Sequence, residues 1–205
     1  MRKLINTLAP LVMALAILSP VWAASVRFEG VSGVTDGTYS VSPYRIKVDG
    51  ADFPALCYDF QHSVSGGQTW QANLLTLTDL SLAYFTGVAG YQEKYAEEMW
   101  LYSQLMTASD DAARVGIQHA AWLLFTPGAP SSGAAAWLAA AAAARLAGFP
   151  GVDLSTYRVV NSLPGAPQVQ GFIIGGFPPA SIPEPAPYVA TGAGLVLLAV
   201  WKRRR

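Results

Sequence analysis

Tyr91-Gln92-Glu93-Lys94-Tyr95-Ala96-Glu97-Glu98-Met99-Trp100-Leu101-Tyr102-Ser103-Gln104-Leu105-Met106 is the stretch on which the fold class turns. Tyr91, Tyr95, Met99, Tyr102 and Met106 recur at the spacing of one helix face, while Glu93, Lys94, Glu97 and Glu98 occupy much of the other. A second helix follows, because Asp110-Asp111 offer carboxylates to free amides at the dipole's positive end. It runs to about Phe125 and stops before Pro127-Gly128. Ala134 to Ala147 reads as an alanine-rich third helix, begun by Ser131 or Ser132 and ended at Gly148.

On both sides of this helical block the period changes to two. Val26 and Phe28, then Tyr39, Val41, Tyr44, Ile46 and Val48, alternate as strands do, with Gly33, Asp36-Gly37 and Pro43 as turn signals. Ala55 to Phe60 reads as a further short strand, and Tyr157 to Leu163 and Val169 to Ile174 return to strand character. Leu74 to Phe85 fits neither period, with Asp79 placed to cap a short helix. Strands, then helices, then strands give an α+β fold: a sandwich or barrel-like β core with an inserted helical segment.

The two ends carry different information. Arg2 and Lys3, the apolar run Leu8 to Leu18, and Val21-Trp22-Ala23 form a signal peptide, residues 1–23, with cleavage after Ala23. The globular domain is then expected over residues 24–174, followed by a Gly/Pro linker, 175–187, and a tail, 188–205. Tyr188 to Trp201 is a short apolar helix of about 21 Å at roughly 1.5 Å per residue. Against a hydrocarbon core of about 30 Å it spans with local thinning or snorkelling. Lys202, Arg203, Arg204 and Arg205 remain cytoplasmic under the positive-inside rule, so the globular part faces outward.

The chain holds 13 basic and 13 acidic residues, but residues 25–182 hold seven basic and twelve acidic, a net charge of −5. A mildly acidic exported domain is a poor partner for nucleic acid. One cysteine and two separated histidines, His62 and His119, give no metal-ligand spacing, so no metal or cofactor is expected. Trp70, Trp100, Trp122 and Trp137 are read as core rather than as a carbohydrate platform.

Pro183-Glu184-Pro185, a hydrophobic helix and the terminal Lys202 to Arg205 cluster, in that order, resemble the PEP-CTERM sorting signal of Gram-negative bacteria. The resemblance implies recognition by an exosortase, transient anchoring in the inner membrane through residues 188–201, and removal of the tail. The destination it implies is the cell surface or an extracellular matrix.

Export makes the lone cysteine conspicuous, since exported proteins pair their cysteines. Cys57 lies in the apolar run Ala55-Leu56-Cys57-Tyr58-Asp59-Phe60. On the second helix Val115, Gln118, Trp122 and Phe125 share one stripe, so an amide lies among apolar side chains. Leaving that amide unsatisfied would cost about 1–3 kcal/mol. Leu56-Cys57-Tyr58-Asp59, followed 61 residues after the cysteine by Gln118-His119-Ala120-Ala121, resembles the internal thioester domain of bacterial surface adhesins.

That resemblance implies a Cys57–Gln118 thioester that attaches the protein covalently to an amine-bearing surface or matrix molecule, with no enzymatic turnover. Tyr58, Phe60 and Trp122 are candidates to shield it from water. Asp59 is placed to order nearby backbone amides, and His119 points about 100° off the Gln118 axis and takes no direct part. Two alternatives stand beside it. In one, the chain is a structural matrix protein in which Cys57 merely packs as a small apolar residue. In the other, it is a cysteine hydrolase using Cys57 with His62 or His119.

Overall fold

Six antiparallel strands close on themselves in the order β1-β2-β3-β6-β5-β4. The strands are β1 (Ala23–Val31), β2 (Tyr44–Val48), β3 (Ala51–Cys57), β4 (Thr69–Leu75), β5 (Arg158–Ser162) and β6 (Phe172–Ile174). This is a computed structural model, and it describes residues 23–31 and 33–178. Three helices, α1 (Tyr91–Thr107), α2 (Asp111–Phe125) and α3 (Ala134–Leu146), are inserted between β4 and β5. The expected α+β architecture is therefore a small barrel carrying a helical layer.

Local chemistry accounts for the main connections. Asp49 and Gly50 both take positive φ, 49° and 86°, which is what a two-residue hairpin between right-twisted strands requires. The turn sets the β2–β3 register, Val48 against Ala51 through Tyr44 against Ala55. Asp110 caps α2 as expected, its carboxylate accepting the Ala113 N–H at 2.8 Å. The N-cap of α3 is Gly133 in the left-handed region rather than Ser131 or Ser132. Close packing explains this difference: a Cβ on Gly116 of α2 would lie 2.8 Å from the Trp137 ring and 3.0 Å from the Gly133 carbonyl. Two glycines thus let α3 press its indole onto the backbone of α2.

Alternation along β3 divides the core. Ala55 and Cys57 face the barrel interior with Val26, Phe28, Ile46, Phe172 and Ile174. Leu56 and Tyr58 face the helices, against Tyr95, Met99, Ile117 and Phe125. Trp122 of α2 reaches into the barrel cluster, so α2 bridges the two layers.

Several expectations are corrected. Tyr39 to Val41 is not strand; a single bridge between Thr35 and Ser40 is all that forms there. Thr69–Leu75 is a full strand, of which the sequence reading covered only Leu74 and Leu75, in a stretch assigned to neither period, and the residues from Thr76 to Phe85 form turns without a helix. Packing also continues past 174. Phe177 stacks on Phe53 with ring centroids 5.0 Å apart, and its N–H donates to the Thr156 carbonyl. Among the described residues no helix is long and apolar enough to cross a membrane. Residues 1–22, most of the 175–187 linker, Pro183-Glu184-Pro185, the 188–201 segment and Lys202 to Arg205 lie outside the described residues.

Candidate functional site

The α2 stripe points at the open end of β3. Gln118, Trp122 and Phe125 are buried as their spacing predicts, while Val115 at the helix start is half-buried. Gln118 and Cys57 are both fully enclosed, at 0% exposure. The helix and the strand bring these two residues, 61 positions apart, into direct contact: Gln118 Nε2 donates to the Cys57 carbonyl oxygen.

The other end of the amide is held by a residue the sequence did not single out. Ser42, also fully buried, donates to Gln118 Oε1 twice, from its backbone N–H at 3.2 Å and from its hydroxyl. The Ser42 hydroxyl oxygen in turn accepts the Cys57 N–H at 3.2 Å. A closed ring results: Cys57 N–H to Ser42 Oγ, Ser42 to Gln118 Oε1, and Gln118 Nε2 back to the Cys57 carbonyl. Each buried polar group on it has a partner, as burial demands. Ser40-Val41-Ser42-Pro43 reads locally as a turn, and no spacing within it signals a partner 76 residues away.

The sulfur has its own neighbours. Cys57 Sγ donates to the Asp59 carbonyl oxygen at 3.2 Å and receives the Trp122 indole N–H at 3.4 Å. Loss of water by burial pushes the Cys57 thiol well up, with the indole N–H pulling the other way, so the resting group is a thiol. Phe60 and Trp122 pack at a centroid distance of 4.9 Å, and Tyr39 sets its edge against both at 5.2 and 5.9 Å. These three rings line a cleft of about 380 Å³ that His62 and Gln170 also border. Tyr58 is elsewhere: its ring lies on the helical side of β3 against Tyr95, Phe85 and Phe125.

Asp59 orders the turn that follows the cysteine. Its carboxylate is fully buried and accepts the N–H groups of Gln61 (2.9 Å), His62 (3.2 Å) and Gly171 (3.2 Å), and it meets His62 Nδ1 at 2.7 Å. His119 is equally occupied away from the sulfur, with Nε2 2.8 Å from Asp36 Oδ2 and Nδ1 2.9 Å from the Ser132 carbonyl. Burial raises the Asp36 carboxyl, but the Tyr39 and Thr38 amides and His119 outweigh it and hold it below the ordinary value. Among the described residues neither imidazole is hydrogen-bonded to Cys57 Sγ, and no group of side chains is arranged to hold a metal ion.

The site therefore offers a buried thiol, a carboxamide whose oxygen is doubly hydrogen-bonded, and aromatic rings packed beside them. These are the ingredients of acyl transfer from an amide to sulfur and onward.

No protein-family model and no curated protein matches the chain. Among solved structures it is similar to the N-terminal thioester domain of a surface protein from Clostridium perfringens: 9% identity, TM-score 0.48, 76% of this chain and 99% of that one covered. It is also similar to the N-terminal domain of the Streptococcus pyogenes pilus tip adhesin Cpa: 13% identity, TM-score 0.46, 78% and 95% covered. A third is the N-terminal thioester domain of the fibronectin-binding protein SfbI from Streptococcus pyogenes: 11% identity, TM-score 0.47, 79% and 97% covered.

Proposed function

We propose that the protein is an exported surface or matrix protein in which Cys57 and Gln118 join as an internal thioester, ready to attach covalently to an amine. The observation that carries this reading is the enclosed contact between the two side chains' residues: Gln118 is aligned on Cys57 by its Nε2 bond to the cysteine's own carbonyl. In the reaction Cys57 Sγ bonds to Gln118 Cδ and the Cδ–Nε2 bond breaks. The thiol proton leaves with the amide nitrogen as ammonia. A primary amine, such as a lysine on a target, then enters through the cleft beside Phe60 and Trp122 and attacks Cδ. The amine nitrogen becomes amide-linked to Gln118, and its proton returns to Sγ.

Phe60 and Trp122 shield the bond on the cleft side, and Tyr58 closes the other face of β3. Each protein molecule reacts once, so it is a reagent rather than an enzyme and needs no cofactor. Delivery is assigned to the tail: Pro183-Glu184-Pro185, the apolar 188–201 segment and Lys202 to Arg205 engage an exosortase at the inner membrane and release the domain to the surface or matrix.

The test is the intact mass of the purified protein beside its Cys57→Ala variant. A mass roughly 17 Da below the sequence value in the parent alone, one ammonia lost, is expected. A full mass with Cys57 freely alkylated in the folded protein defeats the reading and leaves a structural protein whose cysteine packs.

A further inference from the structure

Ser42 needs a reason beyond turn formation. It is fully buried, it lies just ahead of β2, and both of its donors converge on one atom, Gln118 Oε1. That atom is where negative charge collects when a nucleophile adds to Cδ. Donors already aimed at such a position, in a site buried from solvent, lower the barrier without reorganising. The hydroxyl is itself aimed. Its oxygen accepts the Cys57 N–H, which leaves its hydrogen free to point at Oε1. The backbone of the nucleophile thus orients the group that stabilises the oxyanion it creates.

We infer that Ser42 is a catalytic residue, supplying through its N–H and hydroxyl an oxyanion hole at Gln118 Oε1 for both formation and opening of the Cys57–Gln118 thioester. This rests on the thioester reading above and adds the group that drives it. In formation, Sγ bonds to Cδ, the carbonyl electron pair moves onto Oε1 between the two Ser42 donors, and it returns as the Cδ–Nε2 bond breaks. Nitrogen leaves as ammonia with the thiol proton. In opening by an amine, the same oxygen carries the same charge between the same donors. Nitrogen bonds to Cδ, the Cδ–Sγ bond breaks, and the amine's proton passes to sulfur. When the amine is ammonia, opening regenerates Gln118 and Cys57, so one protein sample can be cycled in both directions.

The experiment measures two rates on the full protein by intact mass: opening by methylamine, and re-closure after opening with ammonia and its removal. Ser42→Ala removes one oxygen and adds no atom, and its folding is checked by melting temperature. It is expected to slow both rates about 10²–10³-fold, the effect of losing one oxyanion donor. Ser42→Thr, which keeps the hydroxyl, is expected to stay within about tenfold of the parent in the same donor-counting terms. A Ser42→Ala variant that closes and opens at parental rates overturns the assignment while leaving the thioester intact. A parent protein of full sequence mass overturns the thioester itself, and the assignment with it. Should Ser42→Ala fail to fold, amide hydrogen exchange in the closed parent decides. Protection of the Ser42 N–H is expected, and exchange at the rate of a free loop amide overturns the assignment.

Discussion

Gln118 and Glu98 are buried to the same degree and handled in opposite ways. Both are 0% exposed and both lie on helices of the inserted layer. Gln118 has its oxygen doubly bonded by Ser42 and its nitrogen bonded to the Cys57 carbonyl. Glu98 has no hydrogen-bond partner at either carboxyl oxygen among the described residues. Burial, with Glu97 beside it adding a smaller push, holds the Glu98 carboxyl well above its ordinary value, so it rests as a neutral acid. Burial alone therefore does not mark a working site. The mark is a polar group whose every bond has been specified by residues far away in the chain. The immediate neighbour of Glu98 makes the same point: Glu97, at the edge of the layer, has found Arg145 at 2.7 Å.

The largest effect is expected from breaking the satisfied side. Gln118→Ala should abolish the mass deficit completely, because no acyl group remains. It should also cost about 1–3 kcal/mol, since the two Ser42 donors that face Oε1 are left buried and unpaired. Mass spectrometry with a urea melt checks both; a Gln118→Ala protein as stable as the parent would erase the contrast with Glu98.

The opposite sign is expected on the unsatisfied side. Glu98→Leu should stabilise the fold by about 1–3 kcal/mol at pH 8, the cost of a buried polar group without partners. The pH dependence follows from the direction of the shift. A carboxyl whose folded value is raised favours folding below its unfolded value, near 4.5, and that contribution is lost as pH rises. The stability gap between variant and parent should thus be small at pH 4 and widen toward pH 8, read by thermal melts across that range. A gap independent of pH would show that Glu98 is not the buried acid its surroundings make it.

The smallest effect belongs to the edge pair. Arg145→Ala should cost no more than about 1 kcal/mol, because the arginine is 38% exposed and water screens the pair. It should fade in high salt, which a melt in added sodium chloride checks.

How much of this was legible in the sequence depended on how local the signal was. The helices could be read because caps and period lie within a few residues: Asp110 before α2, the Tyr95, Met99 and Tyr102 face of α1. Strand β4 was obscured because polar Gln71 and Asn73 interrupt its apolar residues, and Asn73 is buried all the same. Cys57 and Gln118 stood out as a lone cysteine in a chain whose sequence reads as exported and an amide on an apolar stripe. Ser42 did not, since a serine before a proline is an ordinary turn residue and its importance comes from a partner 76 positions on. Tyr58 and Phe60 looked alike in sequence as shields. The two-residue alternation of β3 carries Tyr58 to the helical side, and the turn after it returns Phe60 to the cleft with Trp122.

The closure of the barrel has a bearing on how many copies can share a crowded surface. Among the described residues each of the six strands pairs with a neighbour on both sides, and β6 covers β3 over Ala55 to Cys57, so the barrel offers a neighbour's strand little edge to zip onto. Under the proposed function, the acyl bond to an amine is then the durable linkage such copies make.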